Sequence, residues 1–280
     1  MSRSDSPTIG VFDSGFGGLT VLRALLQRFP QARFVFLGDT ARLPYGSKSR
    51  RTIARYAAQS AQFLTREQGA EFLVIACNTA SALALDAIRE AVTVPVLGVI
   101  EPGAAVARAT SKTGDVLVIA TDATVHSHAY AAACETRGLR AIEKACPLLV
   151  PLVEEGWTNH PVTAEVLRIY LDELLAQAAA EGLKPDALVL GCTHYPLLRP
   201  LIEHAIAQSA GAGIRVIDSA ESTADTATKL LRGGDSASGD RAWAPEIRCF
   251  ATDSVEKFQR LGSKFLGRPV GDVQLIDLGG

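Results

Sequence analysis

Short, unbroken apolar runs recur along this chain and alternate with segments of helical period, and that alternation limits the fold more than any other feature. IGVF (9–12), RFVFL (33–37), FLVIA (72–76) and VPVLGVI (94–100) are rich in β-branched residues. So are DVLVIA (115–120), DALVLG (186–191), IRVID (214–218) and IRCFA (247–251). Runs apolar at consecutive positions fit strands covered on both faces, and such strands belong to parallel sheets packed between helices. Segments 51–67 and 162–180 carry helical spacing; in the second, Val166, Leu167, Leu171, Leu174 and Leu175 form one stripe. The expected class is α/β. At 280 residues the chain is long for a single core. The expected organisation is two similar lobes, each a mostly parallel sheet flanked by helices, with the active site in the cleft between them. The first lobe is expected over 1–100 plus 212–280 and the second over 101–211.

Composition removes several classes. A chain that is 48% hydrophobic has no disorder signature. A net charge of −2 gives no general field for nucleic acid or an anionic membrane. No apolar run approaches the ~20 residues that span a bilayer. MSRSDSPT runs into IGVF without the apolar region of a signal peptide. The expectation is a cytoplasmic protein whose five cysteines are reduced. No C-x-x-C pair or zinc-finger spacing occurs, so no metal is expected. No lysine sits in a pyridoxal-phosphate context, so no cofactor is expected either.

In parallel sheets ligands bind beyond the carboxyl ends of the strands. Two cysteines fall there. VIACNTAS places Cys77, and VLGCTHYP places Cys192, directly after apolar runs. An isolated strand-end cysteine is more often a small hydrophobe than a nucleophile. Here both are read as opening a helix, where the dipole and unpaired N–H groups favour thiolate. Asn78 and Thr79 follow the first, able to cap the helix or hold a carboxylate. Thr193 and His194 follow the second, and a histidine two residues from a thiol can exchange a proton with it. The echo between VIACNTASALAL and VLGCTHYPLLRP hints at related lobes. Two thiols facing one substrate from opposite sides suit a reaction that removes a proton from one face and returns it to the other. Cys134, Cys146 and Cys249 read as packing residues in helix or strand interiors.

DSGFGG (13–18) follows the first apolar run; its glycines permit close backbone approach and positive φ. It lacks the lysine of a P-loop and the spacing of a dinucleotide fingerprint. Asp13 reads either as a helix cap or as an aspartyl nucleophile lacking the second Asp two residues on. LPYGSKS (43–49) is a turn with Ser47 or Ser49 as helix cap, and Tyr45 and Gly46 either form an ordinary loop or line a pocket. Glu154 and Glu155 read, on their own, as solvated loop carboxylates. His126, His128, His160 and His204 read as surface residues. RGGDSASGDRAWAP (232–245) reads as a surface loop and VQLIDLGG as a final strand.

GVFDSGFGGLTVL, FLGDTARLPYGSKS, ACNTAS, PVLGVIEPG, CPLLVPLVEEG and LGCTHYPLL occur in the order found in the glutamate racemases of the aspartate/glutamate racemase superfamily. From about residue 9 to 230 the chain closely resembles that family. The resemblance implies a cofactor-independent racemase that interconverts L- and D-glutamate by two-base proton transfer and supplies D-glutamate for peptidoglycan. By position, Cys77 and Cys192 match the two catalytic cysteines. Asp13 with Ser14, Tyr45 with Gly46, Asn78 with Thr79, and Thr193 with His194 match substrate-binding pairs. Asp13 is then expected to assist Cys77, and His194 with a glutamate of the LVEE segment to assist Cys192; that glutamate is assigned to Glu154, with Glu155 as the alternative. The first cysteine is expected to deprotonate D-glutamate and the second L-glutamate. ATDATVHSHAY departs from the family at Ala120 and Thr121, so Thr121 and Thr124 enter as further candidate ligands. The implied partners are glutamate and a second copy of the chain in a homodimer, with no nucleic acid or membrane. Three rivals remain: a racemase for aspartate or another amino acid, a non-catalytic two-lobed amino-acid-binding protein, and a thiol hydrolase that leaves one cysteine idle.

Overall fold

The computed structural model describes residues 7–211, 213–232 and 245–279. Ten strands are present among them, in chain order β1 (Thr8–Asp13), β2 (Arg33–Gly38), β3 (Phe72–Ile75), β4 (Val96–Gly98), β5 (Asp115–Ala120), β6 (Arg140–Ala145), β7 (Ala187–Gly191), β8 (Arg215–Asp218), β9 (Glu246–Ala251) and β10 (Val273–Leu275). The chain divides into two compact units: Met1–Val99 with Ala220–Gly280, and Ile100–Ser219.

The first unit holds a six-stranded, all-parallel sheet in the order β10-β9-β2-β1-β3-β4. Its central strands are buried at nearly every position, as continuous apolar runs require when helices cover both faces. On one face, Phe12, Val35, Leu37, Ile75 and Phe250 pack against Ile53, Ala57 and Ala61 of the helix Arg50–Gln62. That helix starts where Ser49, rather than Ser47, accepts the Thr52 N–H at 3.3 Å, and it ends in a π-turn over Phe63–Glu67.

The second unit holds a four-stranded parallel sheet, β6-β5-β7-β8. Its long helix, Pro161–Ala180, begins at His160, whose Nδ1 accepts the Val162 N–H at 3.1 Å. The buried stripe is Thr163, Leu167, Leu171, Leu174 and Ala178; Val166 and Leu175 lie at its margin.

Several expectations need correction. Residues 213–219 belong to the second unit and not to the first lobe, because β8 pairs in parallel with β7 from Ala187↔Arg215 to Leu190↔Asp218. The run 94–100 is not one strand: three residues form β4, and a helix begins at Ile100. β6, RAIEKA, had no apolar signal because it is a half-exposed edge strand. Cys146 lies just past the end of β6, not in an interior. The tail strand forms as β10, while the 232–245 loop lies, but for its ends, outside the described residues.

Candidate active site

In the first unit the candidate residues gather at the carboxyl ends of β1, β2 and β3. Asp13 is the last residue of β1 and is buried; its Oδ2 accepts the Gly15 N–H at 2.9 Å, which folds the DSGFGG loop over the strand end. The loop needs small residues for space and not for positive φ, since none of its glycines lies in the left-handed region. A Cβ on Gly18 would sit 2.6 Å from Asp13 Cβ and 2.8 Å from Ala76 Cβ, and one on Gly38 would sit 2.1 Å from the Gly15 carbonyl oxygen. Phe16 pins the loop from outside, with its ring 5.9 Å from Phe265 and 6.4 Å from Phe258, both on the helix Val255–Leu266.

Cys77 caps the helix Asn78–Leu83, and its sulfur accepts the Ala80 N–H at 3.4 Å. The thiol in turn donates to Ser14 Oγ at 3.5 Å, joining the first loop to the third. Asn78 and Thr79 are the buried first residues of that helix. The helix start does not leave Cys77 as thiolate. Burial, and then the negative charge of Asp13, push its thiol up to about 11, outweighing its hydrogen bonds with Ser14 and Ala80.

Tyr45 sits close enough to Cys77 to feel its charge. Its side chain is fully buried and its hydroxyl donates to Asp39 Oδ2 at 2.5 Å, while Gly46 is half-buried. Asp39 follows β2 as Asp13 ends β1, and its N–H donates to the Asp13 carbonyl at 3.0 Å. Burial raises the Asp39 carboxyl, and hydrogen bonds from Tyr45 and Thr252 with the nearby Arg42 charge act against that. Asp39 escaped the sequence reading, although FLGDT places it at a strand end like the residues that were singled out.

In the second unit Cys192 follows β7 directly and is buried. It does not open an α-helix. A short 3₁₀ turn, Tyr195–Leu198, separates it from the helix Arg199–Ala210, because Pro196 and Pro200 each restart the local geometry. Tyr195 anchors this turn, its hydroxyl donating to the carbonyls of Cys146 (2.9 Å) and Ala120 (3.1 Å). His194 Nδ1 lies 4.0 Å from Cys192 Sγ and 3.4 Å from Thr193 Oγ1. On its far side His194 Nε2 lies 3.4 Å from Glu154 Oε1, with both side chains largely buried. Glu155 is exposed and points to no such partner. Thr121 and Thr124 bond to each other, Oγ1 to Oγ1 at 2.8 Å, at the end of β5.

Thus Asp13, Ser14, Tyr45, Gly46, Cys77, Asn78 and Thr79 lie in one unit, and Thr121, Thr124, Glu154, Cys192, Thr193 and His194 in the other. Among the described residues, no group of three or more His, Cys, Asp or Glu side chains is arranged to hold a metal. No helix there is long and apolar enough to cross a membrane.

Residues 10–227 match the family model Asp/Glu/Hydantoin racemase. The glutamate racemase of Koribacter versatilis (strain Ellin345) is 53% identical, with 100% of each chain covered. That of Syntrophus aciditrophicus (strain SB) is 46% identical over 96% of each chain. The crystal structure of Francisella tularensis glutamate racemase in complex with D-glutamate superposes with a TM-score of 0.85 at 34% identity, covering 98% of this chain and 99% of that one. The chain belongs to the Asp/Glu/hydantoin racemase family and, within it, to the glutamate racemases, which are isomerases.

Proposed function

We propose that this chain interconverts L- and D-glutamate by a two-base mechanism in which each unit supplies one thiol. The observation that supports the reading is that each strand-end cysteine has titratable neighbours: the charge of Asp13 acts on Cys77, and His194 Nδ1 lies 4.0 Å from Cys192 Sγ with Glu154 on its far side. A thiolate takes the α-proton of glutamate, breaking the C–H bond and forming S–H. The electron pair left on Cα then takes the proton of the opposite thiol, which becomes thiolate. One turn inverts the carbon and exchanges the protonation states of the two sulfurs.

Cys77 at about 11 is almost wholly protonated at neutral pH. Moving its proton to Asp13 leaves the local net charge unchanged, so the repulsion that raises the thiol disappears as the thiolate forms. The cationic ammonium group of an amino acid acts in the same direction. On the other side, the Glu154 carboxylate 3.4 Å from His194 Nε2 favours the proton on that nitrogen, which leaves Nδ1 as the base that faces the Cys192 thiol. Backbone N–H groups and the hydroxyl and amide groups of Thr79, Thr193 and Asn78 are suited to hold the substrate carboxylates and the developing negative charge. Cys77 is assigned to D-glutamate and Cys192 to L-glutamate.

The proposal includes operation without an added cofactor, a cytoplasmic homodimer, and D-glutamate supply for peptidoglycan. The test is racemisation of each glutamate enantiomer in heavy water without pyridoxal phosphate. The inverted product is expected to carry deuterium at Cα. Retained hydrogen, dependence on pyridoxal phosphate, or faster turnover of aspartate than of glutamate overturns the reading.

A further inference from the structure

Residues 245–279, all of which lie beyond the end of the family match at 227, do more than complete a sheet. They grip the Asp39–Gly46 loop at two places. Just past β9, Thr252 Oγ1 donates to Asp39 Oδ1 at 3.0 Å and accepts the Ala41 N–H at 2.9 Å. Next to it, Thr40 Oγ1 donates to the Asp253 carbonyl (2.6 Å) and accepts the Asp253 N–H (2.8 Å). Further on, Ile276 and Leu278 follow β10 and pack on the apolar cluster that contains Tyr45. There the carbonyl of Gly279 accepts from Arg42 Nη2.

Arg42 ties these contacts together. Its Nη1 donates to Gln59 Oε1 at 2.9 Å and lies 3.6 Å from Asp39 Oδ2, the same oxygen that receives the Tyr45 hydroxyl. Its guanidinium lies 4.4 Å from the Tyr56 ring centre. A planar fork can meet a carboxylate, an amide, a carbonyl and an aromatic face at once, which an ammonium cannot. Asp39 is fully buried, so its charge depends on the few groups that touch it.

We propose that Arg42 is a positioning residue through which the 276–279 strap holds the Tyr45–Gly46 substrate loop. The inference rests on the assignment of that loop to substrate binding. The strap holds Arg42, Arg42 and Thr252 hold Asp39, and Asp39 holds the Tyr45 hydroxyl; the loop backbone presented to substrate is the end of that sequence. Neither Arg42 nor the strap touches the reacting atoms, so their loss weakens substrate capture more than proton transfer.

The test uses the full chain, Arg42→Ala, Arg42→Lys, a chain ending at Leu275, and the truncated chain carrying Arg42→Ala. Wild-type racemisation of glutamate is measured first, and its absence condemns the proposed function rather than this inference. Arg42→Ala and the truncation are each expected to raise KM about tenfold with kcat nearly unchanged. The combined variant should be worse than either alone by less than the product of the two effects, because both remove the Arg42–Gly279 connection. Arg42→Lys should recover only part of the loss. In the ligand-free proteins, amide hydrogen exchange should rise over residues 42–48 in both single variants and stay unchanged in the second unit. Additive effects on KM, a fall in kcat with KM unchanged, or unaltered exchange at 42–48 overturns the inference. If the truncated chain fails to fold, the Arg42→Ala kinetics and exchange decide it alone.

Discussion

At the scale of single residues, the two thiols share a place in the topology but not an environment. The Cys77 pKa is raised by burial and then by the charge of Asp13, whereas Cys192 faces an imidazole with a carboxylate on its far side. Replacing either sulfur with a hydroxyl puts a much weaker acid where the thiol stood. Cys77→Ser and Cys192→Ser should each lower racemisation by on the order of 10²–10⁴-fold, while isothermal titration still detects glutamate binding. Glu154→Gln should lower turnover from L-glutamate by about 10- to 100-fold, since a histidine that loses its orienting carboxylate loses basicity and alignment. Glu155→Gln should leave the rate near that of wild type. Initial rates with each enantiomer check both, and equal losses at 154 and 155 count against the His194 relay.

At the scale of elements, the loops work because strands β1, β2 and β3 end side by side and the residues after them are small. Gly18 is the tightest instance beside the acid. A methyl group there meets Asp13 Cβ at 2.6 Å and Ala76 Cβ at 2.8 Å, so one of the two strand ends must shift. Gly18→Ala is expected to cost about 1–3 kcal/mol of stability. The larger effect falls on activity, because the displaced groups carry Asp13 and Cys77. Thermal melting and initial rates of one preparation separate the two effects; a full rate with a lowered melting temperature refutes the second.

The whole molecule is sensitive to alkali for a reason unrelated to catalysis. Burial pushes the Cys146 and Cys249 thiols up to about 12 in the folded chain, while an unfolded thiol ionises near pH 8.5. Above about 8.5 the unfolded chain therefore binds fewer protons than the folded one. The stability associated with each thiol is fully present below that pH and is lost as pH rises toward 12, at about 1.4 kcal/mol per pH unit. Melting temperature should fall between pH 8 and pH 10. Cys249→Ala should melt lower than wild type at pH 8 but lose less over that interval; parallel curves exclude the thiol as a cause.

What could be read from the chain alone followed from local physics. Consecutive apolar positions announced doubly covered parallel strands, and helical spacing announced the covering helices, because those signals are carried by neighbouring residues. The strand-end cysteines, the glycine loop and the family motifs were visible for the same reason. The half-exposed edge strand β6 was not, because an edge strand needs no continuous apolar run. The family resemblance assigned Glu154 and kept Glu155 as the alternative; the fold adds that Glu154 is the one that lies 3.4 Å from His194, since adjacent helical residues face different directions. The Cys77 environment, in which burial overrides a helix start, depends on neighbours distant in sequence. So does the grip of residues 252–253 and 276–279 on the Asp39–Tyr45 loop, more than 200 positions away. Sequence by itself determined the doubly covered strands, the strand-end loops and the two thiols; only the tertiary structure decided the edge strand, the charge states and the supports, because pKa and position are set by groups that folding brings together.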